Sequence, residues 1–418
     1  MPDFIEISEL STLLEPGHNV YLPGAAGFPA VFMNAVMDNP KSSSYVHFFT
    51  SLAPGIDNPL SIERLDNSAM VSGLFMQPDF AEAQRRGQFN MLPMSYSSFA
   101  QYIQYKLIFD LTVVQVTPPD HNGFCTLGHT VEFTSAAISK SHKVLAIVNP
   151  YLPLVQNALK YPLAQFDYIC QAEMPVPQYQ ISADLTTEAV ASHIAALIDD
   201  GCTLQTGTGK VPTALSQLLC NRKNLRLYSG LISDGLMQLA EAGALADGFI
   251  HIGCALAGSQ QLYDWIPNYE FIQLRGSEQT HSPENLLKLN NFVAVNSALE
   301  VDLFGQCNLE FVTGRAMSGA GGSSDFARAA RYRNDSLSIV ALVSSYKQKT
   351  ISRIVPKLGG PGVASLGRGD VDIIVTEHGV ADLRGLSVHQ RAKALIAIAE
   401  PELQSQLHEA WCSIATTM

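Results

Sequence analysis

The chain has 418 residues, 47% hydrophobic and 15% charged, enough apolar material for a large core and too much length for one ordinary domain. A formal net charge of −12, with no long Lys/Arg run, argues against a nucleic-acid partner, which would require a basic face. Every run of about 18 residues contains a Pro, a polar residue or a charge, and the acidic start from Met1 to Glu9 is unlike an export signal, so neither a membrane partner nor export is expected and a cytoplasmic location is.

In chain order, a short helix is expected near Ser8 to Leu14, then Gly17 and a strand from Asn19 to Leu22. The turn Gly24-Ala25-Ala26-Gly27 and Pro29 open a helix running to Met37, and a strand from Tyr45 to Leu52 follows. Leu111 to Val116 reads as a hydrophobic strand, ending in the turn-rich Pro118-Pro119-Asp120-His121-Asn122-Gly123-Phe124-Cys125-Thr126-Leu127-Gly128.

The order then recurs. Asp184 to Asp200 carries Val190, Ile194, Leu197 and Ile198 at helical spacing, with Gly201 where a C-terminal cap belongs. A strand from Cys202 to Gln205 leads into Gly207-Thr208-Gly209. Pro212 then sits in the first turn of a helix to Leu219, where its missing N–H does no harm, and a strand from Leu225 to Ile232 follows. The simplest account is an internal duplication: two similar α/β domains with mostly parallel sheets, spanning residues 1–178 and 179–418. A glycine turn between a strand and a helix leaves N–H groups free for a phosphate or an oxyanion, although such turns also serve packing alone.

Seven scattered Cys form no C-x-x-C pair and no zinc-finger spacing with His, so neither a metal site nor a disulfide framework is expected. No G-x-G-x-x-G opens a helix with an acidic residue about 20 positions on, which argues against a nicotinamide cofactor.

The loop Pro118–Gly128 resembles the signature of the acetyl-CoA hydrolase/transferase family, the family I CoA transferases of the acetate and 4-hydroxybutyrate type. Further similar segments follow in family order: Leu204 to Gly209, Ser233-Asp234-Gly235, Asn296 to Asp302, Gly319 to Phe326 and Val375 to Leu383. The resemblance implies two α/β domains with an active site at their interface. It implies a ping-pong transfer of CoA from a short-chain acyl-CoA to a small carboxylic acid, of the acetate, butyrate, 4-hydroxybutyrate, succinate or itaconate type, through a glutamyl-CoA thioester. It also implies CoA as substrate with no permanent cofactor, and leaves a homodimer open. Acyl-CoA hydrolysis is one alternative; thioester binding without catalysis is another.

Under the same resemblance, Gly319, Gly321 and Gly322 belong to the oxyanion and CoA loop, and Gly207, Thr208 and Gly209 to a loop beside the nucleophile. Arg275, Lys210 and Lys357 are candidates for the CoA phosphates, alongside Arg328 and Arg353; a solvated surface role is the plain reading of each. His281 stands where the family has a polar residue facing the reacting carbonyl, and Met33 is a candidate to help fill the pocket, though a Met on an apolar helix face is ordinarily core.

One departure is decisive. In Tyr228-Ser229-Gly230-Leu231-Ile232-Ser233-Asp234-Gly235 the family's nucleophilic Glu position is Gly230, and glycine cannot form an anhydride. Glu278 and Glu300 lie in segments that match the family where the usual nucleophile is present, so other roles are expected of them. Glu63, in Pro59-Leu60-Ser61-Ile62-Glu63-Arg64-Leu65, follows the repeat partner of the Gly230 strand and is the leading replacement; pairing with Arg64 or a neighbour on the surface is its plain reading.

Overall fold

The computed structural model describes residues 2–56 and 60–418, so Met1 and Pro59 lie outside the described residues. The chain divides into two compact units. One comprises Met1–Gln180 with Ile250–Ser282, the other Ile181–Phe249 with Pro283–Met418. The division therefore differs from a single break after residue 178, because residues 250–282 belong with the first unit.

The first unit is built on an eight-stranded sheet. Its strands are β1 (Asp3–Phe4), β2 (Asn19–Leu22), β3 (His47–Thr50), β4 (Met70–Gly73), β5 (Phe89–Met91), β6 (Phe109–Val116), β7 (Ser141–Val148) and β8 (Tyr168–Gln171), in the order β1-β8-β7-β6-β2-β3-β4-β5. Every pairing is parallel. Its central strands bury both faces, with Val20, Leu22, Phe48, Val113, Val114 and Val116 wholly inaccessible, as parallel sheets covered by helices require. Helix α1 (Ala30–Asp38) leaves the β2 end, and α2 (Tyr96–Lys106) precedes β6, capped by Ser95, whose hydroxyl accepts from the Ser98 N–H.

The second unit carries β9 (Thr203–Thr206), β10 (Arg226–Leu227), β11 (Phe292–Ser297), β12 (Leu337–Ala341), β13 (Ile373–Thr376) and β14 (Gly379–Asp382), in the order β10-β9-β11-β12-β13-β14. All pairs are parallel except β13 with β14. The helices α3 (Leu185–Ala195), α4 (Lys210–Leu218), α5 (Gly235–Glu241) and α6 (Ser323–Arg331) belong to this unit.

Both sheets reverse their strand order at an equivalent point. Chain order runs outward from β2 to β5 on one side and from β6 to β8 on the other; it runs from β9 to β10 on one side and from β11 to β14 on the other. Parallel sheets take ligands beyond the carboxyl ends of the strands at such a reversal. In each unit the strand on one side of the reversal ends in the glycine turn read from the sequence, Gly24–Gly27 after β2 and Gly207–Gly209 after β9.

Four expected elements differ in detail. Ile7–Leu13 is a 3-10 helix, because Thr12 bonds the Glu9 carbonyl with its hydroxyl and competes with α-helical pairing. The strand expected from Tyr45 to Leu52 is shorter, since Tyr45 has φ +59 and starts it from outside the extended region. Helix α3 stops at Ala195 because the next bonds, Leu197 N–H to Ile194 and Ile198 N–H to Ala195, tighten to three-residue turns before Gly201 at φ +74. The strand expected from Leu225 to Ile232 is broken between Leu227 and Leu231. There the Ser229 hydroxyl donates to the Thr206 carbonyl at 2.6 Å and clips the chain to the end of β9. Among the described residues no helix is long and apolar enough to cross a membrane.

Candidate active site

At the reversal in the first unit, the turn after β2 packs tightly on its neighbours. A β-carbon at Gly24 would lie 2.3 Å from Ser51 Oγ and 2.4 Å from the Ser51 carbonyl oxygen, and one at Gly27 would lie 2.9 Å from Thr130 Cβ. Gln115, at the end of β6, fastens the same turn by donating from Nε2 to the Phe28 carbonyl at 2.9 Å.

Between these contacts sits Glu132, with 3% of its surface exposed. The Ser51 hydroxyl donates to Glu132 Oε2 at 2.9 Å, and the Tyr96 hydroxyl to Oε1 at 3.1 Å. Around them Tyr21, Phe99, Phe109, Phe133 and Cys254 form an apolar shell. Burial in that shell pushes the Glu132 carboxyl up to about 7, against the pull of its two hydroxyl donors. The same burial, with the Glu132 charge second, raises the Tyr21 and Tyr96 hydroxyls well above their usual range.

The backbone is held as firmly. Glu132 has φ +37, a left-handed conformation that costs a non-glycine residue roughly 1–2 kcal/mol. Its N–H donates to the Cys254 carbonyl at 3.1 Å, and its own carbonyl accepts from the Ser277 N–H at 2.7 Å. The short helix Ser277–Thr280 then delivers His281, 1% exposed, whose ring lies 4.7 Å from that of Tyr96 and whose Nδ1 is 2.8 Å from the Thr280 hydroxyl. Burial drives this imidazole down to about 3, so it is neutral throughout the physiological range.

In the second unit Gly209 has φ +129, open to glycine alone, and forms the N-cap of α4. Gly321 at φ +57 precedes α6, whose N-cap is Gly322. A cavity lies beneath the first of these turns, lined by Leu204, Leu215, Leu219, Leu227, Leu236 and Leu239 among others. Thr206 and Ser229, the residues immediately before Gly207 and Gly230, also line it.

The N-terminal domain of the acetyl-CoA hydrolase/transferase family matches residues 2–179, and its C-terminal domain matches residues 258–411. The chain belongs to the acetyl-CoA hydrolase/transferase family. It is 31% identical to the 4-hydroxybutyrate coenzyme A transferase of Clostridium kluyveri, over 94% of each chain. It is 33% identical to the succinyl-CoA:cyclohexane-1-carboxylate CoA transferase of Geobacter metallireducens, over 96% of this chain and 93% of that one. The 4-hydroxybutyrate CoA-transferase structure from Porphyromonas gingivalis superposes with a TM-score of 0.80 at 26% identity, covering 100% of this chain and 98% of that one. As a member of this family the protein is an enzyme of CoA transfer.

Met33 is completely buried on α1. Gly230 lies in the break between Leu227 and Leu231. Lys210 is already paired with Asp184, the cap of α3, at 2.7 Å. Arg275 holds Gln273 Oε1 through Nε and Nη2 and has no ion pair among the described residues; Lys357 is exposed and likewise has none. Arg353 packs over Tyr346 and donates to the Leu299 carbonyl, while Arg328 pairs with Asp370.

Among the carboxylates, Glu300 accepts from Asn308 and Gly359, and Glu278 is folded back over Gly276. Glu63 is exposed in the 3-10 turn Ile62–Arg64, and the expected pairing with Arg64 is absent because Arg64 reaches Asp38 at 2.8 Å. Asp38 ends α1, and Asp66, three residues after Glu63, accepts from the Ser68 N–H just before β4. Glu63 therefore stands toward the edge where the strands of this sheet begin.

Glu377, His378 and Glu400 bring their ligand atoms within 4.8 Å of one another, yet the group is already served by protein donors. Glu377 accepts from the Ser344 N–H and hydroxyl, and Glu400 from Lys349 and Ser345.

Sequence reasoning missed Glu132, Ser51 and Tyr96. The available signal was one carboxylate between Val131 and Phe133, directly after the glycine-rich loop, in a stretch too apolar to face water.

Burial also fixes an acid response. His129 and His251 are driven down to about 4, like His281 to about 3, by loss of solvation. The stability these neutral imidazoles contribute is fully present above pH 6.5 and is lost as pH falls toward 4. Glu132 acts oppositely, its contribution full below 4.5 and lost as pH rises toward 7. Three protons against one decide the sign: the melting temperature is expected to fall between pH 6.5 and 4.5, and an unchanged value in that window would contradict the burial of these rings.

Proposed function

We propose that this enzyme moves CoA from a short-chain acyl-CoA to a small carboxylic acid through a glutamyl-CoA thioester formed on a carboxylate other than position 230. The observation that carries this reading is the pair of glycine turns at the two sheet reversals. The one after β9 opens α4 at Gly209, where first-turn N–H groups have no helical partner, in a family whose relatives transfer CoA. Gly207, Thr208 and Gly209, with Gly319, Gly321 and Gly322, serve the developing oxyanions and the ligand. Arg275 and Lys357, neither of which has an ion pair among the described residues, meet the CoA phosphates, and Lys210 joins them by exchanging Asp184 for phosphate.

His281, whose ring lies against Tyr96, faces the reacting carbonyl.

The test is to supply butyryl-CoA with and without acetate and follow both thioesters. Acetyl-CoA formed at the rate butyryl-CoA disappears, with little free CoA, is expected. Free CoA released equally fast in the absence of any acid would replace transfer by hydrolysis.

A further inference from the structure

We infer that Glu132, gripped by Ser51 and Tyr96 at the sheet reversal of the first unit, is the carboxylate that takes the acyl group and then the CoA. The inference rests on the transfer chemistry proposed above and names the residue that performs it.

A carboxylate that forms an anhydride must be kept from water, must have donors for the tetrahedral oxyanion, and must stand where the fold binds ligands. Glu63 is exposed and sits toward the opposite edge of its sheet. Glu278 is turned back onto Gly276. Glu300 is tied to Asn308 and Gly359. Glu132 meets all three conditions. It is 3% exposed, it has one hydroxyl donor on each oxygen, and it lies against the Gly24–Gly27 turn through Ser51 and Thr130.

The placement is also maintained at a cost. A glutamate in a left-handed conformation inside an aromatic shell is strained and poorly solvated, and neither is needed for packing, which an apolar residue would serve better. Such a residue persists where the surroundings over-determine it, as the bonds to Cys254 and Ser277 do here.

The steps balance without another reactant. A Glu132 carboxylate oxygen attacks the thioester carbonyl carbon, the C–S bond breaks, and CoA thiolate leaves an acyl-glutamyl anhydride. The thiolate then attacks the Glu132 carbonyl carbon, releasing the first acid as its carboxylate and leaving glutamyl-CoA. Ser51 and Tyr96, already directed at the Glu132 oxygens, donate to the oxyanion of this second attack. The acceptor carboxylate runs the same two steps backwards and regenerates Glu132.

The test uses the full-length wild-type enzyme with butyryl-CoA and no acceptor acid. The thioester adduct is reduced with borohydride to convert the linked carboxyl to an alcohol, and the peptides are sequenced by fragmentation. Loss of one oxygen and gain of two hydrogens at residue 132, absent without butyryl-CoA, is expected. The same mark on Glu63 or another carboxylate would overturn the assignment to Glu132 while leaving covalent transfer standing. Exchange activity without a mark on any carboxylate would overturn both the assignment and the covalent route, and absence of exchange would remove the transfer reading itself.

Discussion

Replacing Glu132 by glutamine is expected to reduce CoA exchange by roughly a thousandfold or more, with little change in acyl-CoA affinity. The amide is nearly isosteric, retains an oxygen for one hydroxyl donor, and removes a carboxyl that folding holds at an unfavourable ionisation, so the variant should remain folded. What it loses is the nucleophilic oxygen. Tyr96→Phe should fall between the variant and the wild type, with a loss of roughly a hundredfold, the usual effect of deleting one oxyanion donor. In the wild type the attacking form is the anion, and burial pushes this carboxyl up to about 7. The exchange rate should therefore rise with pH through about 7 and then level, and any residual activity of Glu132→Gln should lack that rise. A Glu132→Gln enzyme that exchanges CoA at the wild-type rate would leave Glu132 a structural acid.

Gly24→Ala should have the second large effect, on the fold rather than on chemistry. The added carbon would meet the backbone of Ser51 at 2.4 Å and 2.5 Å, and a backbone cannot rotate aside. Overpacking of this kind costs about 1–3 kcal/mol or more, and any relief moves Ser51 away from Glu132, so melting temperature and activity should fall together. Gly276→Ala is the informative contrast. Its new carbon would approach the Glu278 carboxylate oxygens at 2.2 Å, but these end a flexible side chain that can swing out. That variant should melt close to the wild type. Equal losses at the two positions would show that the turn at Gly24 is not specially constrained.

The duplicated α/β layout was legible because turn chemistry is local. Gly24–Gly27 and Gly207–Gly209 each follow a strand and precede a helix, and this order is visible without knowing any tertiary contact. The position of residues 250–282 was not legible, since hydrogen bonds such as Ser277 N–H to the Glu132 carbonyl join elements separated by more than a hundred residues. The candidate site was only half legible for the same reason. Gly230, His281 and the glycine loops lie in contiguous motifs, whereas Ser51, Tyr96 and Glu132 come from three separate segments. Glu63 stood out because it follows a strand with a repeat partner, but strand order does not say at which end of the sheet a connection turns. That was decided by the pairing of Arg64 with Asp38 and by the bond between Asp66 and Ser68.

The most direct test of carboxylate-mediated transfer follows an oxygen atom. In the proposed sequence the acceptor acid leaves one of its carboxylate oxygens on the enzyme glutamate each time an anhydride is resolved toward the new thioester. Turnover of butyryl-CoA with acetate doubly labelled with oxygen-18, in ordinary water, should therefore add the label to the peptide containing Glu132 and then to the butyrate released. Label confined to acetate and acetyl-CoA, with none in the Glu132 peptide or in butyrate, would contradict the account.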